Sequence, residues 1–183
     1  MGMTLQRPLI LLLALAVASC GDVSEPADAP ASIPETPPVR SVDSQNDGYP
    51  DLTPAELVPE AEKGEQGARN VLLSWARALE LKEFDQAWAL FGEGGAQSGM
   101  TAAEYAAQFA NYRDITVEVA GGSIEGGAGS LYYEVPTTIS GTTMGGEPYR
   151  LTGTTVLRRV NDVDGATPAQ LRWHLTQSSL EPA

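Results

Sequence analysis

The chain has very few residues of the kinds that build disulfide frameworks and metal clusters. Among its 183 residues, Cys20 is the single cysteine and His174 the single histidine. One cysteine excludes an intrachain disulfide framework and a cysteine-based zinc site, and one histidine excludes a multi-histidine metal cluster. We therefore expect neither a metal ion nor another cofactor, and we assign no catalytic residue on the basis of the sequence.

Basic residues are also scarce. Lys and Arg number 11 against 24 Asp and Glu, which gives a formal net charge of −13. A nucleic-acid-binding surface needs clustered positive charge, so this balance argues against a nucleic-acid partner. The pair Arg158-Arg159 does not change this conclusion, because adjacent residues of a strand point to opposite faces and so form no patch.

The apolar run at residues 9–18 is too short for a membrane-spanning helix. It has about ten residues, whereas a spanning helix needs about 20. Preceded by the positive charge of Arg7, the run is typical of a secretory signal peptide, which is removed from the mature protein. We expect residues 1–19 to be this signal.

The four residues around the expected cleavage site are more specific. Val17-Ala18-Ser19-Cys20 resembles the bacterial lipobox. The resemblance implies that a diacylglycerol joins the Cys20 sulfur as a thioether, that the signal is cut just before Cys20, and that the new amino terminus is acylated. Two or three acyl chains anchor a protein stably, whereas one chain holds only marginally. The alternative is a soluble secreted protein with a chance cysteine near its cleavage site.

Localisation follows from the same resemblance. The protein is expected in the bacterial cell envelope, held by lipid on Cys20 and facing the periplasm. Gly21 follows the cysteine in place of the aspartate that in some enteric bacteria favours retention in the inner membrane. We therefore expect the outer membrane rather than the inner one.

Residues 20–50 have the composition of a tether. This stretch is rich in proline, alanine, serine and acidic residues and contains no Leu, Phe or Trp. Such a segment buries too little apolar surface to offset its ordering entropy, so we predict disorder. A flexible segment 21–60 would span roughly 35 Å on average. It is either a spacer that lifts the domain off the membrane or a tail that serves solubility alone.

Residues 51–183 are predicted to form one domain that begins with helices. A capping box from Thr53 to Glu56 predicts a short first helix that Pro59 ends. Two further helices are predicted from apolar residues at helical spacing, which are Ala68, Val71, Leu72, Trp75 and Leu79 in one and Phe84, Ala87, Trp88 and Phe91 in the other.

A second capping box marks the last predicted helix. It runs from Thr101 to Glu104, and Met100 and Tyr105 occupy the positions of a hydrophobic staple. The apolar stripes of the helices can be buried only against the rest of the domain. We therefore expect Trp75, Trp88 and Trp173 to converge in one core.

From Asp114 the apolar period changes from 3.6 to 2. Alternation predicts about four strands, at 115–119, 130–139, 149–160 and 171–178. Glycine-rich or Asx-rich segments connect them, including Asp162 to Gly165, whose flanking residues do not fit a calcium loop. Helices followed by an antiparallel meander predict an α+β fold in which the helices pack on one face of a curved sheet.

This order of elements is similar to the NTF2-like superfamily, which includes polyketide cyclases and ketosteroid isomerases. The resemblance covers roughly 61–180 and rests on the helix pair containing Trp75, Leu79, Phe84 and Trp88, followed by a third helix and four strands. It implies a cone with a pocket between the concave sheet face and the helices, and dimers formed through the outer sheet face. Some members are enzymes and others are binding or scaffolding modules, so the fold alone does not choose between these functions.

Four residues are candidates for a pocket, namely Tyr105, Tyr112, Asp114 and Trp173. Tyr112 and Asp114 could form a proton-transfer pair, although an aspartate at the start of a strand is common for structural reasons alone. Strand alternation places His174 on the face opposite Trp173, so we expect a solvent-facing or dimer-face histidine. Tyr105, Tyr132 and Tyr133 could also bond a ligand, although aromatic residues at these spacings more often pack in a core or at a rim.

Two functional hypotheses remain. The first is a non-catalytic, lipid-anchored module of the envelope that binds a small apolar ligand or a protein partner. The second is an isomerase-type or cyclase-type enzyme with a Tyr/Asp pocket that acts on a small hydrophobic substrate. The side chains that line the cavity beneath Trp173 distinguish them, because an enzyme of this kind needs a carboxylate with a perturbed pKa inside the cone.

Overall fold

The computed structural model describes residues 50–183. The predicted signal peptide, Cys20 and almost all of the predicted tether lie outside the described residues. Within them the α+β prediction is confirmed, because four α-helices and a short 3₁₀-helix precede a curved antiparallel sheet, and the longest helix and the 3₁₀-helix pack against it. The sheet has five strands instead of about four.

The helices are α1 (Pro59–Lys63), α2 (Glu65–Glu80), α3 (Phe84–Ala89) and α4 (Ala102–Ala107), with the 3₁₀-helix Ala96–Ser98 between the last two. The apolar stripe predicted for α2 is confirmed, since all five of its residues are buried. In α4 the predicted capping box is present, with Thr101 and Glu104 each bonding the backbone N–H of the other. Within residues 50–183, no helix has both the length and the apolar character needed to cross a membrane.

The predicted helix at Thr53 is wrong. Residues 50–58 form neither helix nor strand, and the first helix begins at Pro59, the residue that was expected to end one. The Thr53 backbone N–H bonds the side chain of Asp51 at 3.0 Å, which is an Asx turn and not the start of a helix. Proline at the first helical position is favourable because its missing N–H would have no partner there.

Side chains of the helices bond the irregular segment 50–58, and we call this segment the strap. Gln86 accepts a hydrogen bond from the Leu52 N–H at 3.2 Å and donates one to the Pro50 carbonyl at 3.0 Å. Asn70 donates to the Ala55 carbonyl at 2.7 Å. These bonds satisfy backbone groups of the strap that have no partner in a helix or strand.

The strands are β1 (Thr116–Val119), β2 (Ser123–Gly127), β3 (Ser130–Thr142), β4 (Pro148–Val160) and β5 (His174–Pro182). Their order in the sheet is β1-β3-β4-β5, and β2 also pairs with β3. Along β3, β1 pairs with 137–140 and β2 with 130–134. The sequence interpretation missed β2 because its glycines are typical of a connection, whereas here the backbone pairs fully with β3.

Strand β5 departs from the prediction in its bounds and in its alternation. It begins at His174 instead of residue 171, and the Leu171 carbonyl bonds the side chain of Arg159 at 3.0 Å. Leu175 pairs with Leu157 but Gln177 pairs with Val156, so one extra residue forms a bulge in β5. Beyond the bulge the faces exchange, and Ser178 is bonded to Thr155, a buried residue, at 3.2 Å.

The core lies between α2, α4 and the sheet. Trp75 and Trp173 are buried, and Trp88 is half-buried against the same cluster. The three tryptophans were expected to converge in one core, and Trp75 and Trp173 belong to it while Trp88 packs against it. Trp88 lies over Gly95, where a Cβ would come within 2.2 Å of the indole ring and the backbone φ is +100°, so glycine is required at this position.

Candidate functional site

Three cavities in the described part of the chain have the volume of a small molecule. One of about 470 Å³ lies on the surface of α2 and is lined by Leu57, Glu65, Gln66, Arg69, Asn70 and Leu73. The other two are lined by buried aromatic residues. The first of these two, which we call the tyrosine cavity, has a volume of about 380 Å³ and lies among α2, α4 and the outer ends of β4 and β5. The second, the tryptophan cavity, has a volume of about 420 Å³ and lies beneath the strap, beside the start of β5. Both volumes lie in the range of roughly 300–1,000 Å³ that is usual for ligand sites.

Tyr105 is one of the residues that line the tyrosine cavity. It is 4% exposed, and its hydroxyl accepts a hydrogen bond from the Trp75 indole N–H at 2.9 Å. Burial raises the pKa of Tyr105 well above that of free tyrosine, against the opposing effect of the bond from Trp75. The hydroxyl is therefore neutral, and among residues 50–183 no acceptor takes its proton. It can donate to an acceptor atom of a ligand.

The aromatic rings around Tyr105 form a continuous series. Its ring packs against Phe91 at a centroid distance of 5.6 Å and against Phe109 at 5.4 Å. Phe109 contacts Tyr112 edge to face, and Tyr112 stacks on Tyr149 at 4.0 Å. The walls therefore offer apolar ring faces to a ligand. The remaining lining residues are Ser98, Met100, Gln108, Leu151, Thr176, Gln177, Ser178, Leu180 and Pro182.

The structure brings two of the four predicted pocket residues into this cavity, Tyr105 and Tyr112. Asp114 does not line either cavity. Its carboxylate is exposed and accepts hydrogen bonds from the Thr142 hydroxyl and from Arg113 at 3.4 Å. The bond from Thr142 is the main cause that lowers the pKa of Asp114. Asp114 is thus an ionised surface group at a strand start, and it does not face the cavity with Tyr112.

Sequence reasoning missed the part of the tyrosine cavity that β5 contributes. Ser178 and Leu180 reach it because the bulge shifts the alternation of the strand after Leu175. Nothing in the sequence marks the bulge, since the residues around it are ordinary strand residues. The strand was therefore predicted with one uninterrupted alternation.

Trp173, the fourth predicted pocket residue, lines the tryptophan cavity instead. The strap residues from Thr53 to Leu57 cover this cavity, and the segment 89–94 and the residues from Arg172 to His174 form its other walls. Trp173 is 3% exposed, and its indole nitrogen Nε1 has no hydrogen-bond partner among the described residues.

His174 lines the tryptophan cavity beside Trp173, and its expected exposure is wrong. Only 9% of the residue is exposed. His174 pairs with Arg158, and the next residue, Leu175, pairs with Leu157. His174 and Leu175 therefore lie on opposite faces of the sheet. The segment after α3 pairs with the edge of β5 here, because the Leu175 N–H donates to the Leu90 carbonyl at 3.0 Å and the Gly92 N–H donates to the Leu175 carbonyl at 3.2 Å. A Cβ on Gly92 would come within 2.6 Å of the imidazole. Strand alternation could not reveal that this distant segment packs against the histidine.

The protonation of His174 follows from its surroundings. Nδ1 is 3.0 Å from the Arg172 carbonyl oxygen, which only accepts hydrogen bonds, so Nδ1 carries the proton. Burial lowers the pKa of His174, and the nearby charge of Arg158 acts in the same direction. The imidazole is therefore neutral near pH 7, with a lone pair on Nε2. This Nε2 is buried and has no hydrogen-bond partner among residues 50–183.

Tyr132 and Tyr133 do not line either cavity. Tyr133 is fully buried, and its hydroxyl donates to Glu65 at 3.0 Å while accepting from the Gly122 N–H at 3.1 Å. Tyr132 lies beneath the guanidinium of Arg158, 6.0 Å from its ring centre. The packing interpretation is therefore correct for both. Within the described residues no group of three or more His, Cys, Asp and Glu side chains could hold a metal ion.

The comparisons with known proteins found only distant similarity to solved structures. No protein-family description matches the chain, and no curated protein matches it either. Among solved structures, a conserved protein from Planctomyces limnophilus has a TM-score of 0.45 at 16% identity over 63% of this chain and 94% of that one. A Novosphingobium aromaticivorans protein, provisionally described as an aromatic ring hydroxylase, has a TM-score of 0.44 at 14% identity over 69% and 96%. A Kribbella flavida protein gives 0.45 at 13% over 66% and 93%. These similarities are too distant to transfer an activity.

Proposed function

We propose that the protein is a lipid-anchored lipoprotein of the bacterial envelope whose NTF2-like domain binds a small apolar ligand in the tyrosine cavity without transforming it. The anchor is the lipid on Cys20, and the domain faces the periplasm, at the outer membrane rather than the inner one. The pattern Val17-Ala18-Ser19-Cys20 supports the anchor. The tyrosine cavity supports the binding role.

The observation that carries the binding role is the chemistry of the cavity wall. Among the residues that line the tyrosine cavity there is no carboxylate, imidazole, amine or guanidinium. General acid–base catalysis needs a group that changes protonation near the working pH. The hydroxyl of Tyr105 does not, because burial raises the pKa of Tyr105 far above neutrality. The wall can therefore hold and orient a ligand, but it offers no base.

The enzyme alternative needs a tyrosine and a carboxylate in the same cavity, and no tyrosine lines the tryptophan cavity, although Glu56, Glu62 and Glu93 do. Asp114 was the candidate, and its carboxylate is exposed and bonded to Thr142 and Arg113 instead. We therefore favour the binding module. An envelope protein as a further partner and a homodimer through the outer sheet face stay predictions.

The cavity also indicates which ligand to test. Ring faces of Phe91, Phe109 and Tyr112 suit a flat apolar skeleton, and the Tyr105 hydroxyl supplies one hydrogen-bond donor. A ligand with one acceptor on such a skeleton satisfies both features. The matched probes are 1-tetralone, which has a carbonyl, and tetralin, which has the same rings without it.

The experiment compares the two probes on the lipidated protein in phospholipid nanodiscs. Binding is followed by the indole N–H signal of Trp75 in NMR spectra, with empty nanodiscs to correct for partition into lipid. We expect 1-tetralone to bind about tenfold more tightly than tetralin, which corresponds to one hydrogen bond. In Tyr105→Phe the difference should vanish.

The control variant is Tyr132→Phe, which removes a hydroxyl that lies outside both cavities. It should bind both probes as the natural protein does. Unchanged discrimination in Tyr105→Phe would remove the proposed binding mode. Chemical conversion of 1-tetralone or of related carbonyl compounds by the protein would refute the non-catalytic role.

A further inference from the structure

Ser178 of β5 lies on the inner face of the sheet and lines the tyrosine cavity. Its hydroxyl oxygen is 3.2 Å from that of Thr155 on β4, a residue that is completely buried. The next residue of β5, Ser179, is exposed, because successive side chains of a strand point to opposite faces. Ser178 itself is half-buried, so it keeps accessible surface on the side where it lines the cavity.

The Ser178 hydroxyl ends a chain of three hydroxyl groups. The Thr137 hydroxyl is placed to donate to the Thr155 oxygen at 3.0 Å and to the Val135 carbonyl at 3.2 Å. Since Thr137 is the donor in both contacts, the Thr155 hydroxyl must place its own proton elsewhere. Among residues 50–183 the remaining acceptor is the Ser178 oxygen. A buried hydroxyl with an unpaired proton is costly, so Thr155 donates to Ser178.

The direction of this chain leaves the Ser178 proton available to a ligand. The Ser178 oxygen accepts from Thr155, and no acceptor among the described residues takes the proton of Ser178. Two other hydroxyls of the wall differ in this respect, since those of Ser98 and Thr176 donate to backbone carbonyls at 2.7 and 3.2 Å. Ser178 therefore offers a hydrogen-bond donor from β5, as Tyr105 does from α4.

From these contacts we infer that the ligand of the tyrosine cavity carries two hydrogen-bond acceptors on one apolar skeleton, as a small cyclic diketone does. One acceptor pairs with the Tyr105 hydroxyl and the other with the Ser178 hydroxyl. Ser178 is then a specificity-determining residue, because a ligand with a single acceptor leaves one of the two donors without a ligand partner. This inference rests on the binding role proposed for the cavity and narrows the class of ligand.

The test compares two probes that share one skeleton. 2,2-Dimethylindane-1,3-dione carries two carbonyls on a flat bicyclic ring, and 2,2-dimethylindan-1-one carries one. Each is titrated into the lipidated protein in phospholipid nanodiscs, with the Trp75 indole N–H as the NMR reporter and empty nanodiscs as the correction for partition into lipid. We expect the diketone to bind about three- to tenfold more tightly, the gain from one hydrogen bond. Its first bond, to Tyr105, holds the second carbonyl near Ser178, an advantage that a single carbonyl lacks.

Ser178→Ala removes the second donor. The preference for the diketone should vanish, whereas 1-tetralone should still bind more tightly than tetralin. Ser179→Ala is the matched control, because this neighbouring hydroxyl is exposed and lies outside the cavity. It should keep the preference for the diketone.

Thr155→Val tests the direction of the hydroxyl chain. This variant removes the bond that Ser178 accepts but leaves the Ser178 proton available, so the preference for the diketone should be retained. If Ser178 instead donated to Thr155, the substitution would release the Ser178 proton and the preference would increase. An increase would therefore overturn the inference.

Thermal unfolding establishes that each variant is folded before its binding is measured. If Ser178→Ala fails to fold, Ser178→Cys carries the test, because a thiol of similar size is only a weak donor. Equal binding of the diketone and the monoketone, by a protein that still prefers 1-tetralone to tetralin, would overturn this inference and leave the proposed function intact. A diketone preference that persists in folded Ser178→Ala would do the same. Loss of the preference for 1-tetralone in the natural protein would overturn both.

Discussion

The indole N–H of Trp75 donates to the hydroxyl of Tyr105 across 2.9 Å, between residues that are 30 positions apart in the chain. Both side chains are buried, with exposures of 1% and 4%. This bond joins α2 to α4 and fixes the tyrosine hydroxyl at the wall of the tyrosine cavity. The hydrogen bond that joins the two helices therefore also holds the hydroxyl that we propose binds the ligand.

The first prediction concerns this bond. Tyr105→Phe leaves the buried Trp75 N–H without a partner, and the free energy of unfolding should fall by about 1–3 kcal/mol. Urea unfolding measures this change. In a double-mutant cycle with Trp75→Phe, the double variant should lose less than the sum of the two single losses, because the orphaned donor is removed with its partner. Additive losses would contradict the bond.

The second prediction compares neighbours at the start of β5. Trp173→Ala should lower the free energy of unfolding by about 3–5 kcal/mol, as expected for a large buried side chain. His174→Ala is expected to cost about 1–3 kcal/mol, because this residue is also buried and bonded to the Arg172 carbonyl. The exposed Glu181→Ala serves as the control and should be nearly silent. If His174→Ala left the free energy of unfolding unchanged, the result would support the exposed histidine predicted from the sequence.

The third prediction is a pH dependence that arises from His174. Its pKa in the folded protein lies below the ordinary value of 6.5, because burial disfavours the charged form. Below about pH 6.5 the unfolded chain therefore binds a proton that the folded protein resists, and stability falls as the pH falls. Arg158 from β4 strengthens this effect, and Glu93 from the loop after α3 opposes it.

Thermal unfolding between pH 7.5 and 5 measures the effect. This range brackets the ordinary pKa of histidine, about 6.5. The Tm of the natural protein should fall through this range, whereas that of His174→Leu should change less. Aspartates with lowered pKa values, such as Asp114, lose their contribution at more acidic pH and do not interfere. Equal slopes for the two proteins would exclude His174 as the source.

The fourth prediction concerns the strap. Gln86→Ala removes both bonds that hold residues 50 and 52, so backbone N–H groups of the strap should exchange with solvent faster. Hydrogen–deuterium exchange with mass spectrometry measures this rate on peptides that cover 50–58. Gln66→Ala, an exposed residue of α2, is the matched control and should leave exchange unchanged. Equal exchange in the two variants would show that the side chain of Gln86 does not hold the strap.

The fifth prediction tests the anchor. Cys20→Ala removes the sulfur to which the proposed diacylglycerol is attached. We expect an uncleaved, unlipidated precursor, detected by the mass of the protein after expression in a bacterial host. The natural chain should instead yield a lipidated product that begins at Cys20 and sediments with membranes. Normal cleavage of Cys20→Ala to a soluble mature protein would exclude the lipoprotein assignment.

The sequence by itself determined the elements whose causes are local. The apolar stripe of α2 and the capping box of α4 depend on residues within a few turns, and both are confirmed. The long strands β3 and β4 follow from alternation and from the turns that bound them. From these elements the α+β class follows, because helices and sheet must bury their apolar faces against each other.

Local signals were insufficient where a contact from elsewhere in the chain outweighed them. The capping box at Thr53 did not form a helix, and Gln86 and Asn70 instead bond the backbone of the strap. Strand β2 was missed since glycine is unfavourable in isolated strands, whereas β3 supplies it with a complete set of partners.

Only the tertiary structure decided the composition of the cavities. Trp173 and Tyr105 were both predicted to line a pocket, but they line two different ones. Asp114 lies outside both, and His174, which was expected to be exposed, is buried beside Gly92 in a segment that pairs with β5. The physical reason is that periodicity fixes the face on which a side chain lies, whereas burial depends on which distant segment covers that face.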